Sequence, residues 1–360
     1  MVFNFSAYSN EFGFKVQKEC NIFVHNKNSV IGHDGAYSIP FKPGFSLWTF
    51  GDTLTGKIVN DKREFNGFYR NSAAVVPFDI PIKNLCKNNI TYLSDDNGIK
   101  PIIPFLADED TKTIALWPMS GIEINGTVYF YYSIIKSQPT NDPMNSFTVM
   151  GTGLVKATEP FKTIDRVKTG DIKTIYFWEK DDIHFGIGAY KHKDGYIYIF
   201  GEKNFEKSEI KEHFKYCRLA RVKPDFIEDI NYYTYYSSKT DSWVKSAKDS
   251  TNIFYDTPGE MSISFNRYLN KFIAIYSEFL NNRIVMITAD KITGPWSEPI
   301  KLYDCKYEEG ILSYAAKEHP EYSQKNGKII YITYCTNATI EKLINNTDLY
   351  WPHLISVEFI

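Results

Sequence analysis

Five short stretches of the chain share one pattern of apolar, aromatic and polar positions. Each is rich in β-branched and aromatic residues, which favour a pleated and half-buried strand. The stretches are residues 45–53, 127–135, 196–204, 272–280 and 328–336. A turn sequence precedes each one, and in four of the five it ends in Pro-Gly, Asn-Gly or Asp-Gly. This arrangement predicts five β-hairpins.

The neighbouring segments extend each hairpin to a four-stranded unit. An inner strand with several small residues is predicted before each turn, at residues 34–41, 119–124, 185–190, 261–265 and 314–322. Third strands are predicted at 71–78, 147–157, 217–222, 283–289 and 354–359, and fourth strands at 90–93, 174–178, 232–236 and 300–303. The last unit has no fourth strand of its own, so we expect a strand within residues 2–20 to complete it and close a ring.

The repeat predicts an all-β fold, a five-bladed β-propeller with four-stranded blades. The composition agrees with this prediction, because 16% of the 360 residues are aromatic and 43% are hydrophobic. No linker rich in Gly, Ser or Pro divides the sequence, so we expect a single domain over residues 1–360. A stacked β-sandwich is the alternative, but five similar units fit radial repetition better.

The net charge and the cysteines indicate which binding partners and which cellular compartment to expect. The formal net charge is −2 and no long basic run occurs, so neither nucleic acid nor an anionic membrane is the expected partner. Because no export signal is visible, we expect a cytoplasmic protein, or a secreted one if a signal segment has been removed. The cysteines have no metal-ligand spacing and are expected to be free, mostly buried thiols: Cys20, Cys86, Cys217, Cys305 and Cys335.

The long connections of a propeller of this kind fall on one face. The start of each inner strand and the end of the next strand share that face, and the connections made there are residues 54–70, 95–118, 136–146, 203–216, 237–260 and 337–350. The turns inside the hairpins, on the opposite face, are short. Function concentrates in long loops, so we expect the main depression and the ligand site on the long-loop face.

Two aspartates meet at this face in the first unit. Pairing 34–41 with 46–53 places Asp34 opposite Thr53 and diagonal to Asp52. Two close carboxylates cannot both ionise easily, so one pKa rises, and such pairs cleave glycosidic bonds. We expect Asp34 to be the nucleophile or base and Asp52 the acid, with Glu260 as an alternative acid. The other interpretation of Asp52 is a turn-capping residue.

Further polar and aromatic residues at the strand ends are candidates for contacts with a sugar. They are Arg70, Asn71, Trp117, His184, Glu202, Glu278, Tyr314 and His319. Alternatives exist for several of them: Glu202 and Glu278 could serve loop amides, Trp117 could be core, and His319 could be a hydrogen-bonded core histidine. No cofactor is expected, although carbonyls and carboxylates around a central channel could hold a structural cation.

The first unit also resembles a known family. The motifs that carry the likeness are residues 33–40 (HDGAYSIP) and 47–53 (LWTFGDT), with weaker ones at 70–72, 294–297 and 350–352. They resemble a propeller family first described as of unknown function and grouped with the endo-D-arabinanases of glycoside hydrolase family 183. A looser similarity is to the five-bladed glycosidases of family 43. The resemblance implies that Asp34 and Asp52 are the catalytic carboxylates and that an arabinose-containing carbohydrate is a candidate substrate.

Two classes of function therefore stay open. The first is a glycoside hydrolase that acts on a carbohydrate at the long-loop face. The second is a non-catalytic propeller, either a carbohydrate-binding module or an interaction scaffold. The pair of aspartates favours the first class, because a binding module does not need two facing carboxylates.

Overall fold

Strands that pair with their sequence neighbours build the fold blade by blade. The computed structural model describes residues 12–96, 98–138, 147–204, 213–257, 259–278, 281–305 and 308–360. After β1 (Phe14–Asn21), the first blade contains β2 (Val30–Lys42), β3 (Phe45–Val59), β4 (Lys62–Tyr69) and β5 (Ser72–Pro77). A short ladder of β6 (Ser94–Asp95) and β7 (Gly98–Ile99) follows. The second blade contains β8 (Ile114–Ile124), β9 (Thr127–Ser137), β10 (Phe147–Thr158), β11 (Thr163–Arg166) and β12 (Trp178–Glu179).

The remaining three blades follow the same antiparallel order. The third contains β13 (His184–Lys191), β14 (Ile197–Asn204), β15 (Lys215–Val222), β16 (Thr234–Ser237), β17 (Ser242–Val244) and β18 (Phe254–Tyr255). The fourth contains β19 (Ser262–Asn266), β20 (Lys271–Glu278), β21 (Arg283–Ala289) and β22 (Ile300–Asp304). The fifth contains β23 (Ile311–Glu318), β24 (Ile329–Ala338) and β25 (His353–Phe359). The predicted five-bladed propeller is confirmed.

Within the residues that the structure describes, helical structure lies in the connections. The 3₁₀ turns there are Ile82–Cys86, Pro224–Phe226, Ile230–Tyr232, Ala247–Asp249, Pro320–Tyr322 and Lys325–Gly327, and the α-helix α1 is Ile340–Asn345. No helix in the described part of the chain is long and apolar enough to cross a membrane.

The N-terminal strand closes the ring as predicted. β1 pairs antiparallel with β25, from Phe14 opposite Phe359 to Asn21 opposite His353. The fifth blade therefore combines strands from both ends of the chain. Closure of this kind leaves short, protected sheet edges.

A disulfide reinforces this closure and corrects the prediction of five free thiols. Cys20 at the end of β1 is bonded to Cys86 in the first 3₁₀ turn, with their Cα atoms 6.0 Å apart. Only Cys217, Cys305 and Cys335 are free, and all three are buried. The two bonded cysteines are 66 residues apart in sequence, and nothing in their local spacing reveals that the ring brings them together.

The inner strands line the axis and are distorted near the long-loop face. Each of β2, β8, β13, β19 and β23 contacts the inner strands on both sides of it. Four of them, β2, β8, β13 and β23, contain a bulge one to a few residues from the end at that face. A bulge re-aims the side chains beside it. The small residues predicted on inner strands, such as Ala36 and Ala315, lie at these bulges, and both have a positive φ.

The hydrophobic core lies between adjacent blades. Phe185, Phe200 and Leu219 belong to a fully buried cluster centred on the third blade, and Trp48 and Trp351 join the first blade to the fifth. These contacts hold the inner strands that carry the site.

Several predicted boundaries are wrong for identifiable reasons. Residues 54–70 are not a loop, because β3 runs on to Val59 and pairs with β4. The last inner strand ends at Glu318, since Pro320 lacks a backbone donor and begins a 3₁₀ turn. In the first blade the expected fourth strand at 90–93 is reduced to an isolated bridge between Ala74 and Tyr92.

Candidate active site

Asp34 lies in the bulge of β2, directly over β3. His33 is opposite Thr53 and Gly35 is opposite Phe50, so Asp34 projects where the register is broken. A β-carbon built on Gly51 would overlap the Oδ1 atom of Asp34. The absence of a side chain at Gly51 therefore creates the space that the Asp34 carboxyl group occupies.

Two tyrosines of the fifth blade bind the same carboxyl group. The Tyr314 hydroxyl donates to Asp34 Oδ2 over 2.6 Å, and the Tyr350 hydroxyl donates to it over 3.4 Å. Tyr314 lies on β23, and Tyr350 precedes β25. Tyr314 was one of the predicted site residues, and Tyr350 adds a contact that the sequence suggested only as part of a family motif.

A buried arginine holds the segment that carries Tyr350. Arg63 on β4 is 3% exposed and donates to the backbone oxygens of Ile31, Leu343, Asn346, Thr347 and Leu349 over 2.5–2.9 Å. Burial lowers the pKa of Arg63 to about 10. The guanidinium thus fixes the connection from β24 to β25 against the first blade.

Asp52 has a different environment from Asp34. Its carboxyl group lies 3.6 Å from the guanidinium of Arg70 and accepts a hydrogen bond from Trp117 Nε1 over 3.4 Å. Arg70 follows β4 and Trp117 comes from β8 of the second blade. The structure thus brings together four predicted residues around one point: Asp34, Asp52, Arg70 and Trp117.

The two carboxyl groups titrate differently. Burial, and then the charge of Asp52, raise the pKa of Asp34 to about 7, although the hydrogen bond from Tyr314 opposes the rise. Burial raises the pKa of Asp52 only to about 6, because Arg70 and Trp117 stabilise its charged form. Burial is the largest cause for both groups, and it raises the pKa of each above the usual range of an aspartate. The arginine beside Asp52 favours the charged form of Asp52.

A buried ion pair lies beside Asp34. The ammonium group of Lys317 is 3.4 Å from Glu260 Oε2, donates to the backbone oxygen of Ala315 over 2.9 Å, and lies 4.3 Å from the ring centre of Tyr37. The Lys317 side chain is 1% exposed. The charges of Glu260 and Lys317 act in opposite directions on the pKa of Asp34. Sequence analysis found Glu260 but missed Lys317, which the bulge between Tyr314 and Lys317 brings to the axis.

Most of the chain matches a recognised protein family. Residues 26–351 match the family model described as "Domain of unknown function (DUF4185)". The chain belongs to the DUF4185 family. No curated protein matches the sequence.

Solved structures confirm that this DUF4185 protein shares its fold with other propellers. A "putative hydrolase" from Bacteroides ovatus ATCC 8483 is similar with a TM-score of 0.67 and 17% identity, over 96% of this chain and 90% of that one. A family 117 glycoside hydrolase from the marine bacterium Zobellia galactanivorans is similar with a TM-score of 0.50 and 10% identity, over 97% and 90% of the chains. A protein of unknown function from Dyadobacter fermentans gives 0.50 and 10%, over 96% and 98%.

Two predicted sugar-binding residues of the DUF4185 protein are interior. Asn71 is fully buried, and its amide exchanges hydrogen bonds with the backbone of Ile103, so it holds that connection. His319 lies past the opposite end of β23, fully buried, with its ring nitrogens bonded to Ser38 and Thr333 and its ring stacked on Trp48. The structure favours the core alternative for His319. Both side chains already have hydrogen-bond partners within the protein.

The other predicted residues lie on the long-loop face of the third and fourth blades. His184 is opposite Glu202 across β13 and β14, and its Nε2 atom is 3.1 Å from the backbone oxygen of Lys180. Glu202 pairs with Lys215 over 2.7 Å, and Glu278 lies 3.6 Å from Arg283. Both glutamates are thus ion-paired, and their predicted contact with a sugar stays a prediction.

The expected main depression on the long-loop face is not confirmed. The two cavities whose linings are described, of about 320 and 140 Å³, lie at the short-turn end and in the central channel. Four of the predicted long connections fall partly outside the described residues, at 97, 139–146, 205–212 and 258. The acids themselves are half-buried at the long-loop end of the axis. Among the described residues, no group of three or more His, Cys, Asp or Glu is arranged to hold a metal ion.

Proposed function

We propose that this protein is a glycoside hydrolase whose catalytic carboxyl groups are Asp34 and Asp52. The observation that carries the proposal is the unequal environment of two adjacent aspartates: Tyr314 binds Asp34, whereas Arg70 and Trp117 bind Asp52. Glycosidases need one protonated and one ionised carboxyl group on either side of the scissile bond. The cation beside Asp52 favours its ionised form, so we assign the protonated form to Asp34.

The different partners of the two carboxyl groups suggest their roles. Asp34, with a pKa of about 7, donates its proton to the glycosidic oxygen as the bond from that oxygen to the anomeric carbon breaks. Asp52, whose charge Arg70 stabilises, either attacks the anomeric carbon or removes a proton from the attacking water. Water supplies the hydroxyl group of the new sugar end and the proton that restores Asp34. Trp117 offers an aromatic face beside Asp52 for a sugar ring.

For the substrate we propose an arabinose-containing polysaccharide or oligosaccharide. Support comes from the first-blade motifs, which resemble those of family 183 endo-D-arabinanases. The fold shared with a family 117 glycoside hydrolase shows that this architecture can carry glycosidase activity. A polymer of this kind lies outside the cell, and the disulfide between Cys20 and Cys86 suits an oxidising compartment. We therefore propose that the protein acts after export.

A substrate screen with an inactive variant as the control tests the proposal. The wild-type protein and a double variant, Asp34→Asn with Asp52→Asn, would be incubated with D-arabinan, L-arabinan, xylan and a panel of nitrophenyl glycosides. We expect new reducing ends from at least one arabinose-containing substrate with the wild type and none with the double variant. Binding of a polysaccharide by both proteins, without cleavage by either, would contradict the enzyme proposal and support a carbohydrate-binding propeller.

A further inference from the structure

A polar cavity lies at the opposite end of the molecule from the aspartates. It has a volume of about 320 Å³ and lies between the β19–β20 turn of the fourth blade and the β23–β24 connection of the fifth. That connection runs from His319 to Lys328 and contains two 3₁₀ turns, Pro320–Tyr322 and Lys325–Gly327. This connection forms the wall of the cavity on the side of the fifth blade.

Backbone and amide hydrogen bonds fix the two walls to each other. The side chain of Asn266 donates to the backbone oxygen of Gly327 over 2.8 Å and accepts from the backbone of Leu269 over 3.0 Å. The backbone of Tyr268 donates to that of Asn326 over 2.8 Å. The cavity is therefore preformed, which lowers the entropic cost of binding a ligand.

A buried acid lies among the lining residues. Glu318 is 5% exposed, and its Oε2 atom accepts a hydrogen bond of 2.5 Å from Ser264. Within the described part of the chain, no donor binds its Oε1 atom. Burial raises the pKa of Glu318 to about 7, so this carboxyl group can both donate and accept hydrogen bonds near neutral pH.

Other lining groups are available to a ligand. Among the described residues, the side chains of Arg267, Ser323 and Asn326 make no hydrogen bond, and Arg267 makes no ion pair. Phe265 adds a ring that is 36% exposed. The lining thus combines a guanidinium group, a hydroxyl, an amide, a carboxyl group and an aromatic surface.

We propose that this cavity binds a monosaccharide-sized sugar acid. A planar guanidinium group recognises a carboxylate through two parallel hydrogen bonds, which Arg267 can supply. Ser323, Asn326 and Glu318 match sugar hydroxyl groups, and Phe265 matches the apolar face of a pyranose ring. The volume accommodates one sugar unit, which distinguishes this site from a groove for a polymer. The site is separate from the aspartates and does not depend on the proposed hydrolase activity.

Calorimetric titration with single sugars tests this site. The probes are D-glucuronate and D-galacturonate, with the neutral sugars D-glucose and D-galactose as their counterparts. All titrations use the Asp34→Asn, Asp52→Asn double variant, so that hydrolysis cannot contribute to the heat. We expect a uronate to bind at least about tenfold more tightly than its neutral counterpart, because the neutral sugar leaves Arg267 without its partner.

A variant that lacks the Arg267 charge tests whether the uronate binds in this cavity. Arg267→Met, added to the same protein, is expected to weaken uronate binding about tenfold or more. Lys193→Met removes one positive charge from the β13–β14 turn on the same face and is expected to leave binding unchanged. Absence of uronate binding, equal binding of neutral sugars, or equal loss in Arg267→Met and Lys193→Met would each overturn the proposal. These outcomes are independent of whether the wild-type protein cleaves any glycoside.

Discussion

Tyr314 of the fifth blade donates a hydrogen bond of 2.6 Å to Asp34 of the first blade, across the boundary between these two blades. The contact makes the pKa of Asp34 depend on a residue of the neighbouring blade. It opposes the effect of burial, because a donor to a carboxylate stabilises its charged form.

Tyr314→Phe is expected to raise the pKa of Asp34 above about 7. Loss of the hydroxyl removes a hydrogen bond that favours the ionised carboxylate, worth about 1.5–3 kcal/mol for a bond to a charged group. Carbon-13 NMR titration of the aspartate carboxyl groups measures the shift. Tyr350→Phe is the matched control and should shift the pKa less, since its hydroxyl is 3.4 Å away. A lowered Asp34 pKa in Tyr314→Phe would contradict this account.

Arg70→Met is expected to raise the pKa of Asp52 above about 6, because the guanidinium charge favours the carboxylate. Asp52 must be ionised to act as base or nucleophile, so the acid side of the kcat/KM profile should move to higher pH. Arg283→Met is the control, because this arginine lies near Glu278 in the fourth blade. It should leave the acid side of the kcat/KM profile unchanged. If the acid side of the profile does not move in Arg70→Met, Arg70 does not set the charge of Asp52.

Gly51→Ala is expected to lower kcat/KM by about 100-fold, the scale on which misplacement of a reacting group by about 1 Å acts. The new β-carbon would overlap Asp34 Oδ1 and push the carboxyl group out of position. Gly13→Ala is the control, because its β-carbon would make only an ordinary contact with Ile360. Full activity of Gly51→Ala on the cleaved substrate would mean that the placement of Asp34 is not critical.

Sequence patterns predicted most of the fold because they are local. Turn sequences and alternating apolar residues define hairpins such as β8 with β9, and the missing fourth strand of the last unit pointed to β1. The hairpin of β3 and β4 escaped prediction because Lys57, Asp61 and Lys62 look like solvated loop residues.

The site was predicted only in part because it depends on contacts between blades. Asp34 and Asp52 are close in sequence, so strand pairing found them. Lys317 pairs with Glu260, and Cys86 is bonded to Cys20. In both cases the two residues are far apart in sequence. Strict strand alternation also does not predict the bulge that reorients Lys317. Contacts between residues so far apart in the sequence cannot be predicted from the order of the strands alone.

Cys86→Ser is expected to destabilise the protein by about 4 kcal/mol, the cost that chain entropy assigns to a loop of this length. Thermal unfolding measures this loss, and a reductant should lower the Tm of the wild type but not that of the variant. Titration of thiols in denaturant without reductant should give three free groups in the wild type. Five free thiols would show that the bond between Cys20 and Cys86 does not form.

Single substitutions of the two aspartates, assayed on two kinds of substrate, test the central claim most directly. If Asp34 is the acid, Asp34→Asn should lose about 100-fold or more in kcat/KM on a polysaccharide, but little on an aryl glycoside whose phenolate leaves without protonation. Asp52→Asn should lose activity on both substrates, because a base or nucleophile is needed in each case. Near-wild-type cleavage of the polysaccharide by Asp34→Asn would contradict the account.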